Sequence, residues 1–392
     1  MRKRFLLLAL LAAGITAPAW SQEVDQFGIP TGKCDPSKGH CVSTIVFSST
    51  RDHTDLQPPA KALGRMEIYR ISMNEDGTPN ADTLMRLTEN EVGVNGLFGA
   101  NAFAKLSPDG KRIVFDSNRN RSAGEPPNTS DLFLMKADGK DQALLIRGSS
   151  PTWSPNGKYI AFHASASGNT CPVSVPPPLP GIPGCLIKDD PGAATWDSDI
   201  FIMRVPDDEN DVVEAPINIT NTPLYIEDDA DWSPDGKKIV FTRHAVTDDP
   251  NNSSTAEICV VTLETLDVEC VTKNFTEERA PAWSPDGTRI AFMCRNTGNN
   301  IFEICVMNAD GTDSTQLTNN SVLDATPTFS PDGERIVFAN GPTARAQLWL
   351  MKADDGTDKT QLVIPPVLPG TSSGANLFAS WGQLWVGGRG EH

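Results

Sequence analysis

The sequence predicts an all-β chain, a six-bladed β-propeller with four-stranded blades. Three observations carry this reading. First, one phrase recurs five times: "AKLSPDGKRIVF", "PTWSPNGKYIAF", "ADWSPDGKKIVF", "APAWSPDGTRIAF" and "PTFSPDGERIVF". Second, its anchors Leu106, Trp153, Trp232, Trp283 and Phe329 lie 47, 79, 51 and 46 residues apart, and Trp381 follows 52 later. A period in the forties marks a repeat of units with four short strands each. Third, no segment beyond the N-terminal apolar run sustains a 3.6-residue period, so helices are not expected.

The elements follow in chain order. Residues 1–21 read "MRKRFLLLALLAAGITAPAWS", a basic start, a short apolar run and small residues, which is a signal peptide rather than a membrane span. Residues 22–42 are an extension. The propeller is expected over 43–386, and 387–392 form a tail. In each unit an anchor strand enters S-P-[DN]-G, where Pro presets φ and Gly accepts a positive φ. A β-branched second strand such as "RIVF" follows, then a variable loop, a third strand such as "DIFIMRV" and a fourth such as "TQLT". The first unit, "STIVFSSTRD", "MEIYRISMNEDG" and "LMRLT", lacks its anchor strand. "LFASW" near the C-terminus supplies it, closing the ring and protecting open sheet edges.

Formal net charge is −17, and loss of Arg2, Lys3 and Arg4 with the signal peptide makes it about −20. That charge excludes nucleic acid as a main partner, and after signal cleavage no segment is expected to insert into a membrane. The eight cysteines fall into local pairs: Cys34 with Cys41, Cys171 with Cys185, Cys259 with Cys270 and Cys294 with Cys305. An even count in an exported chain favours disulfides, although spacing alone leaves the connectivity open. The last two pairs flank predicted hairpins. A bridge between Cys171 and Cys185 would staple a Pro-rich insertion in blade three, residues 166–197.

The repeated W-S-P-D-G-x-x-I-x-F, followed by D-I-[FY]-x-M-x-x-D-G and L-T, resembles the β-propeller repeat of the TolB family. The resemblance covers about Ser43 to Trp385. It implies a periplasmic propeller that captures a protein or peptide segment at its channel mouth; a periplasmic or secreted monomer is expected, and no enzyme, since no acid/base or nucleophile constellation is visible. TolB carries an α/β domain before its propeller, and here only about twenty residues separate signal peptide and first blade, so the resemblance is to the propeller alone.

Long, irregular loops after the second strands of the first four blades mark one face as the working surface. At that face Glu227, Glu278 and Asp324 stand five residues before successive anchors, with Asp228, Asp229, Asp231 and Glu277 beside them. They predict an acidic arc at the channel mouth, suited to a basic segment of a partner. Period two along the first strands places Phe103, Lys105, Ser150, Thr152, Asp229, Asp231, Ala280, Ala282, Thr326, Thr328, Phe378 and Ser380 on the side opposite the anchors, as channel lining. Phe103 and Lys105 join the partner-binding set. No cofactor is expected; a weakly held divalent cation at the mouth is the exception left open. The alternative is an enzyme, a metal-dependent polysaccharide lyase or a glycan hydrolase. It would use His163 and His244 at adjacent second-strand ends, with His53 after the first. "GTSSG" at 370–374 matches a nucleophile pattern without the helix that pattern needs.

Overall fold

The S-P-D-G phrase is a hydrogen-bonded corner. Ser233 Oγ donates to Asp235 Oδ1 at 2.7 Å, and Lys238 N–H donates back to Ser233 Oγ at 2.9 Å. The same corner forms at Ser107 and Asp109, Ser154 and Asn156, Ser284 and Asp286, and Ser330 and Asp332. Each corner reverses the chain from an inner strand into a β-branched second strand.

A computed structural model describes residues 41–51, 66–74, 76–89, 100–120, 130–165, 198–206, 215–222, 225–245, 256–274, 276–296, 298–343, 345–364 and 375–385. The strands are β1 (Cys41–Ser49), β2 (Glu67–Ser72), β3 (Met85–Arg86), β4 (Asn101–Leu106), β5 (Arg112–Ser117), β6 (Asp131–Lys136), β7 (Ala143–Arg147) and β8 (Ser149–Trp153). They continue as β9 (Tyr159–Ser165), β10 (Ser198–Arg204), β11 (Ile217–Asn218), β12 (Tyr225–Trp232), β13 (Lys238–Ala245), β14 (Glu257–Thr262), β15 (Asp267–Cys270) and β16 (Glu278–Trp283). The last are β17 (Arg289–Arg295), β18 (Phe302–Asn308), β19 (Thr315–Gln316), β20 (Asp324–Phe329), β21 (Arg335–Asn340), β22 (Gln347–Lys352), β23 (Thr360–Gln361) and β24 (Asn376–Trp385).

The all-β propeller with four-stranded blades is present, but the expected count of six such blades is corrected to four. The four-stranded sheets are β24-β1-β2-β3, β4-β5-β6-β7, β16-β17-β18-β19 and β20-β21-β22-β23. The remaining eight strands, β8 to β15, form one continuous sheet. The cause is the length of β12, eight residues against five or six in β4, β8, β16 and β20. Its extra N-terminal residues reach β10, so Ser198 pairs in parallel with Ile226, and Ser198 Oγ donates to the Glu227 carbonyl at 2.8 Å.

β24 pairs antiparallel with β1 from Cys41↔Trp385 to Ser49↔Asn376. Trp381 Nε1 donates to Ser43 Oγ at 2.8 Å, and an Arg51 terminal nitrogen donates to Asn376 Oδ1 at 2.8 Å. The inner strands then touch in the cyclic order β24, β4, β8, β12, β16, β20. Apolar side chains fill the spaces between sheets. The phenylalanine that ends each I-x-F run, at 47, 115, 162, 241, 292 and 338, is at most 1% exposed. Burying each one stabilises the fold by about 2–3 kcal/mol.

The acidic residue opening a third strand and the threonine of "LT" form a second recurring bond. Thr318 Oγ1 donates to Glu303 Oε2 at 2.7 Å and accepts the Ile304 N–H at 2.8 Å. Thr88 does the same with Glu67 and Ile68, Thr220 with Asp199 and Ile200, and Thr272 with Glu257 and Ile258. Short fourth strands are thereby locked to third strands by side chains as well as by the ladder. Gly311, in the "ADG" turn, sits at φ +86 where a Cβ would fall 2.2 Å from the Val271 carbonyl, so any side chain would break the contact with the neighbouring sheet.

The disulfides Cys259–Cys270 and Cys294–Cys305 join β14 to β15 and β17 to β18, as the spacing suggested. The other two expected bridges have no such support. Cys171 and Cys185 both lie outside the described residues, with the 166–197 insertion they were expected to staple. Cys34, the expected partner of Cys41, lies outside them too. So do the signal peptide, His53, residues 370–374 and the tail.

Thr318→Val is expected to lower unfolding free energy by about 1–3 kcal/mol, since it leaves a buried N–H and a buried carboxylate each short of a partner. Thr315→Val, at an exposed position of the same blade, should change it by less than about 0.5 kcal/mol. Urea denaturation of both variants checks this.

Candidate functional site

The inner strands carry a device that period two does not reveal. Each has a register break against its neighbour, and at the break one residue adopts a left-handed backbone. These are Phe103, Ser150, Asp229, Ala280, Thr326 and Phe378, with φ between 48° and 51°. The breaks fall between Ala102 and Lys105, Ser149 and Thr152, Asp228 and Asp231, Arg279 and Ala282, and Ala325 and Thr328, and opposite Phe378 between Val46 and Ser48. A bulge of this kind adds one unpaired residue and re-aims the side chains around it.

The structure separates the predicted acidic residues into two groups. Glu227, Glu278 and Asp324 do not form an open arc; they are 0%, 2% and 0% exposed. Glu227 accepts from Arg243 Nε at 2.8 Å and from Thr222 Oγ1 at 2.7 Å. Glu278 accepts from Asn274 Nδ2 at 2.8 Å, and Asp324 from Asn320 and Asn340 at 2.7 and 2.6 Å. Glu227 and Asp324 thus bond mainly to the second strand of their own sheet, and Glu278 to the turn before β16. Glu277, also expected at the arc, is buried and bonded to Arg279 and Arg295.

Asp228, Asp229 and Asp231 remain half-buried on β12. Asp231 accepts from Thr152 Oγ1 at 3.0 Å and from the Trp283 N–H at 2.9 Å. Burial pushes its carboxyl up, and the charge of Lys105 opposes that shift. The charge of Lys105 thus opposes the effect of burial on the carboxyl groups of β12. Asp229 accepts from Ser150 Oγ at 3.4 Å. Burial, then the charge of Asp228, push it up to about 7. For Asp228 burial acts upward, but His244, His163 and Arg279 prevail and hold its carboxyl below the ordinary range. His244 Nε2 stands 3.7 Å from Asp228 Oδ2, close enough for charge attraction and too far for a hydrogen bond. Asp228 Oδ1, His244 Nε2 and His163 Nδ1 are buried atoms without a hydrogen-bond partner among the described residues. Burial lowers the His163 pKa, favouring its neutral form.

The site thus combines two adjacent carboxylates of opposite titration tendency, two imidazoles and two cationic side chains. It can hold a cation or exchange a proton. Among the described residues no group of three His, Cys, Asp or Glu side chains is arranged to hold a metal ion, and His53 lies outside them. Sequence reasoning missed Arg279 and Asp116. Asp116 occupies the position after the second-strand phenylalanine, where His163 stands in the next repeat, and that shared position was the available signal. It is buried, accepts from Ser149 Oγ, and is pushed up to about 6 by burial.

Sheets arranged radially around a ring of inner strands define a β-propeller. Residues 229–363 match the model of the TolB β-propeller domain, PD40. Its fold is similar to TolB from Acinetobacter baumannii, with 18% identity, a TM-score of 0.58, and coverage of 87% of this chain and 66% of that one. The chain therefore spans just under two thirds of that protein's length. It is also similar to a putative TolB from Agrobacterium tumefaciens, with 16% identity, a TM-score of 0.51, and coverage of 88% and 99%. A chain of a nidogen/laminin complex shares the fold at 9% identity and a TM-score of 0.55, covering 87% and 98%. At these identities the likeness is one of fold. None of the curated proteins compared matches the chain.

Asp116 gives the site a testable pH dependence. Its folded pKa of about 6 lies above the unfolded value of about 3.9, so the folded state retains a proton that the unfolded state has lost. That contribution is complete below about pH 4 and disappears as pH rises through 6. Asp116→Asn should therefore gain about 2–3 kcal/mol relative to wild type between pH 4 and pH 8. Urea titrations at the two pH values measure the difference, and a difference independent of pH would contradict the burial assignment.

Proposed function

We propose that this chain is an exported, non-enzymatic propeller that receives a basic segment of a protein or peptide partner at the channel mouth, against Asp228 and Asp229. The observation that carries the reading is the pair itself. Two neighbouring carboxylates crowd one strand, Asp228 has a buried oxygen without a partner among the described residues, and the charge of Asp228 disfavours ionisation of Asp229. An arriving guanidinium or ammonium group relieves that repulsion and fills the missing bond. Lys105 and Asp231 set the charge one level deeper, and Phe103 borders the mouth. The TolB relatives support a protein-binding role, and two disulfides suit an oxidising compartment, the periplasm or the exterior.

The test is binding of a blocked, fluorescent tetrapeptide, Arg-Gly-Gly-Phe, followed by anisotropy at low and high salt. Affinity should fall with salt, and by about tenfold or more in Asp228→Asn/Asp229→Asn, since a charged hydrogen bond is removed. Asp310→Asn, on an exposed turn after β18, should leave it unchanged. Equal affinity in the double variant would remove the carboxylate pair from the site.

A further inference from the structure

The left-handed residues of the inner strands form a belt. Two pairs of neighbours in it meet. Phe103 and Phe378 have ring centroids 4.1 Å apart, and Ser150 Oγ lies 3.4 Å from Asp229 Oδ1. Equivalent positions on adjacent strands therefore lie at one height and face the channel. In ring order the belt reads Phe378, Phe103, Ser150, Asp229, Ala280, Thr326. Its polarity is divided. The aromatic pair occupies two adjacent strands, and Asp229 lies on the strand across the ring from Phe378.

The two phenylalanines stand where they are locally unfavourable. A positive φ suits Gly, Asn or Asp, and a bulky side chain there is strained. Both rings pack on a cluster of buried residues on one side yet remain partly exposed. Strain retained for a partly exposed aromatic surface is the pattern expected of a contact surface rather than of core packing. Thr326, next to Phe378 in the belt, has a buried Oγ1 without a partner among the described residues, suited to a peptide backbone group.

We propose that the mouth is two-sided, and that it selects a segment carrying an aromatic side chain together with a basic one, the aromatic group against Phe103 and Phe378 and the cation against Asp229. This rests on the reading that a basic segment enters here. The apolar half then supplies selectivity that charge alone does not, because every basic segment satisfies the carboxylates.

Three blocked tetrapeptides separate the two ideas: Arg-Gly-Gly-Phe, Arg-Gly-Gly-Ser and Gln-Gly-Gly-Phe. The first should bind wild type about tenfold more tightly than the second, from burial of one aromatic ring, and more tightly than the third. In Phe103→Asn/Phe378→Asn the preference for Phe over Ser should vanish while binding of Arg-Gly-Gly-Ser persists. Asn tolerates the left-handed backbone, so the change removes the rings without opposing the bulge. Equal binding of the two Arg peptides to wild type, or a Phe preference that survives in the variant, would overturn the two-sided mouth and leave the basic-segment reading standing. Failure of both Arg peptides to bind would overturn both. The wild-type comparison decides the matter even if the double variant does not fold.

Discussion

β1 and β24 come from opposite ends of the described chain, and their pairing from Cys41↔Trp385 to Ser49↔Asn376 is the constraint from which the remaining geometry follows. The inner strands can touch in a ring only if that pairing holds. Without it, β1 and β20 would be left bordering a gap, with an unpaired strand edge exposed to water. The contact is also the most non-local among the described residues, so its loop-closure entropy must be offset by well-matched bonds. Trp381 to Ser43 and Arg51 to Asn376 supply such bonds on either side of the ladder. Ring closure then fixes the height at which each bulge meets its neighbours.

Given that height, the chemistry of the mouth follows from which residue each bulge presents. A bulge that presents Asp229 beside Asp228 concentrates negative charge where burial already penalises it. The neighbouring strands compensate incompletely. Lys105 serves Asp229 and Asp231, and Arg279 divides its charge between Glu277 and the Asp228 and Asp229 pair. Elsewhere in the ring, Glu227 is neutralised through Oε1 by Arg243 and Thr222, while its buried Oε2 has no partner among the described residues. The difference between these groups lies in their neighbours, not in residue type.

Much of the fold was legible because each repeat writes its own turn chemistry. Ser, Pro, Asp and Gly in "SPDG" each have one physical task, and the two intrablade disulfides follow from cysteines placed across hairpins. The blade count was not legible. It depends on Ser198 meeting Ile226, a contact between segments separated by a loop whose course sequence cannot give. The acidic arc was misread for a related reason. Glu227, Glu278 and Asp324 look like a charged rim in sequence, but their partners Arg243, Asn274 and Asn340 are brought to them by pairing of strands or by a turn. Parity along a strand put Phe103 with Phe378 and Ser150 with Asp229 in one set, and these pairs do touch. It could not show the bulge that turns these residues into a belt, because a positive φ at Phe or Ser leaves no mark in composition.

The central claim is that β12 presents two coupled carboxylates of unequal proton affinity at the mouth. Carbon-detected NMR titration of the Asp228 and Asp229 side-chain carboxyl groups in the intact protein tests it most directly. Asp229 should titrate near 7 and Asp228 below the ordinary carboxylate range. Two independent titrations near the usual value of about 3.9 would contradict it.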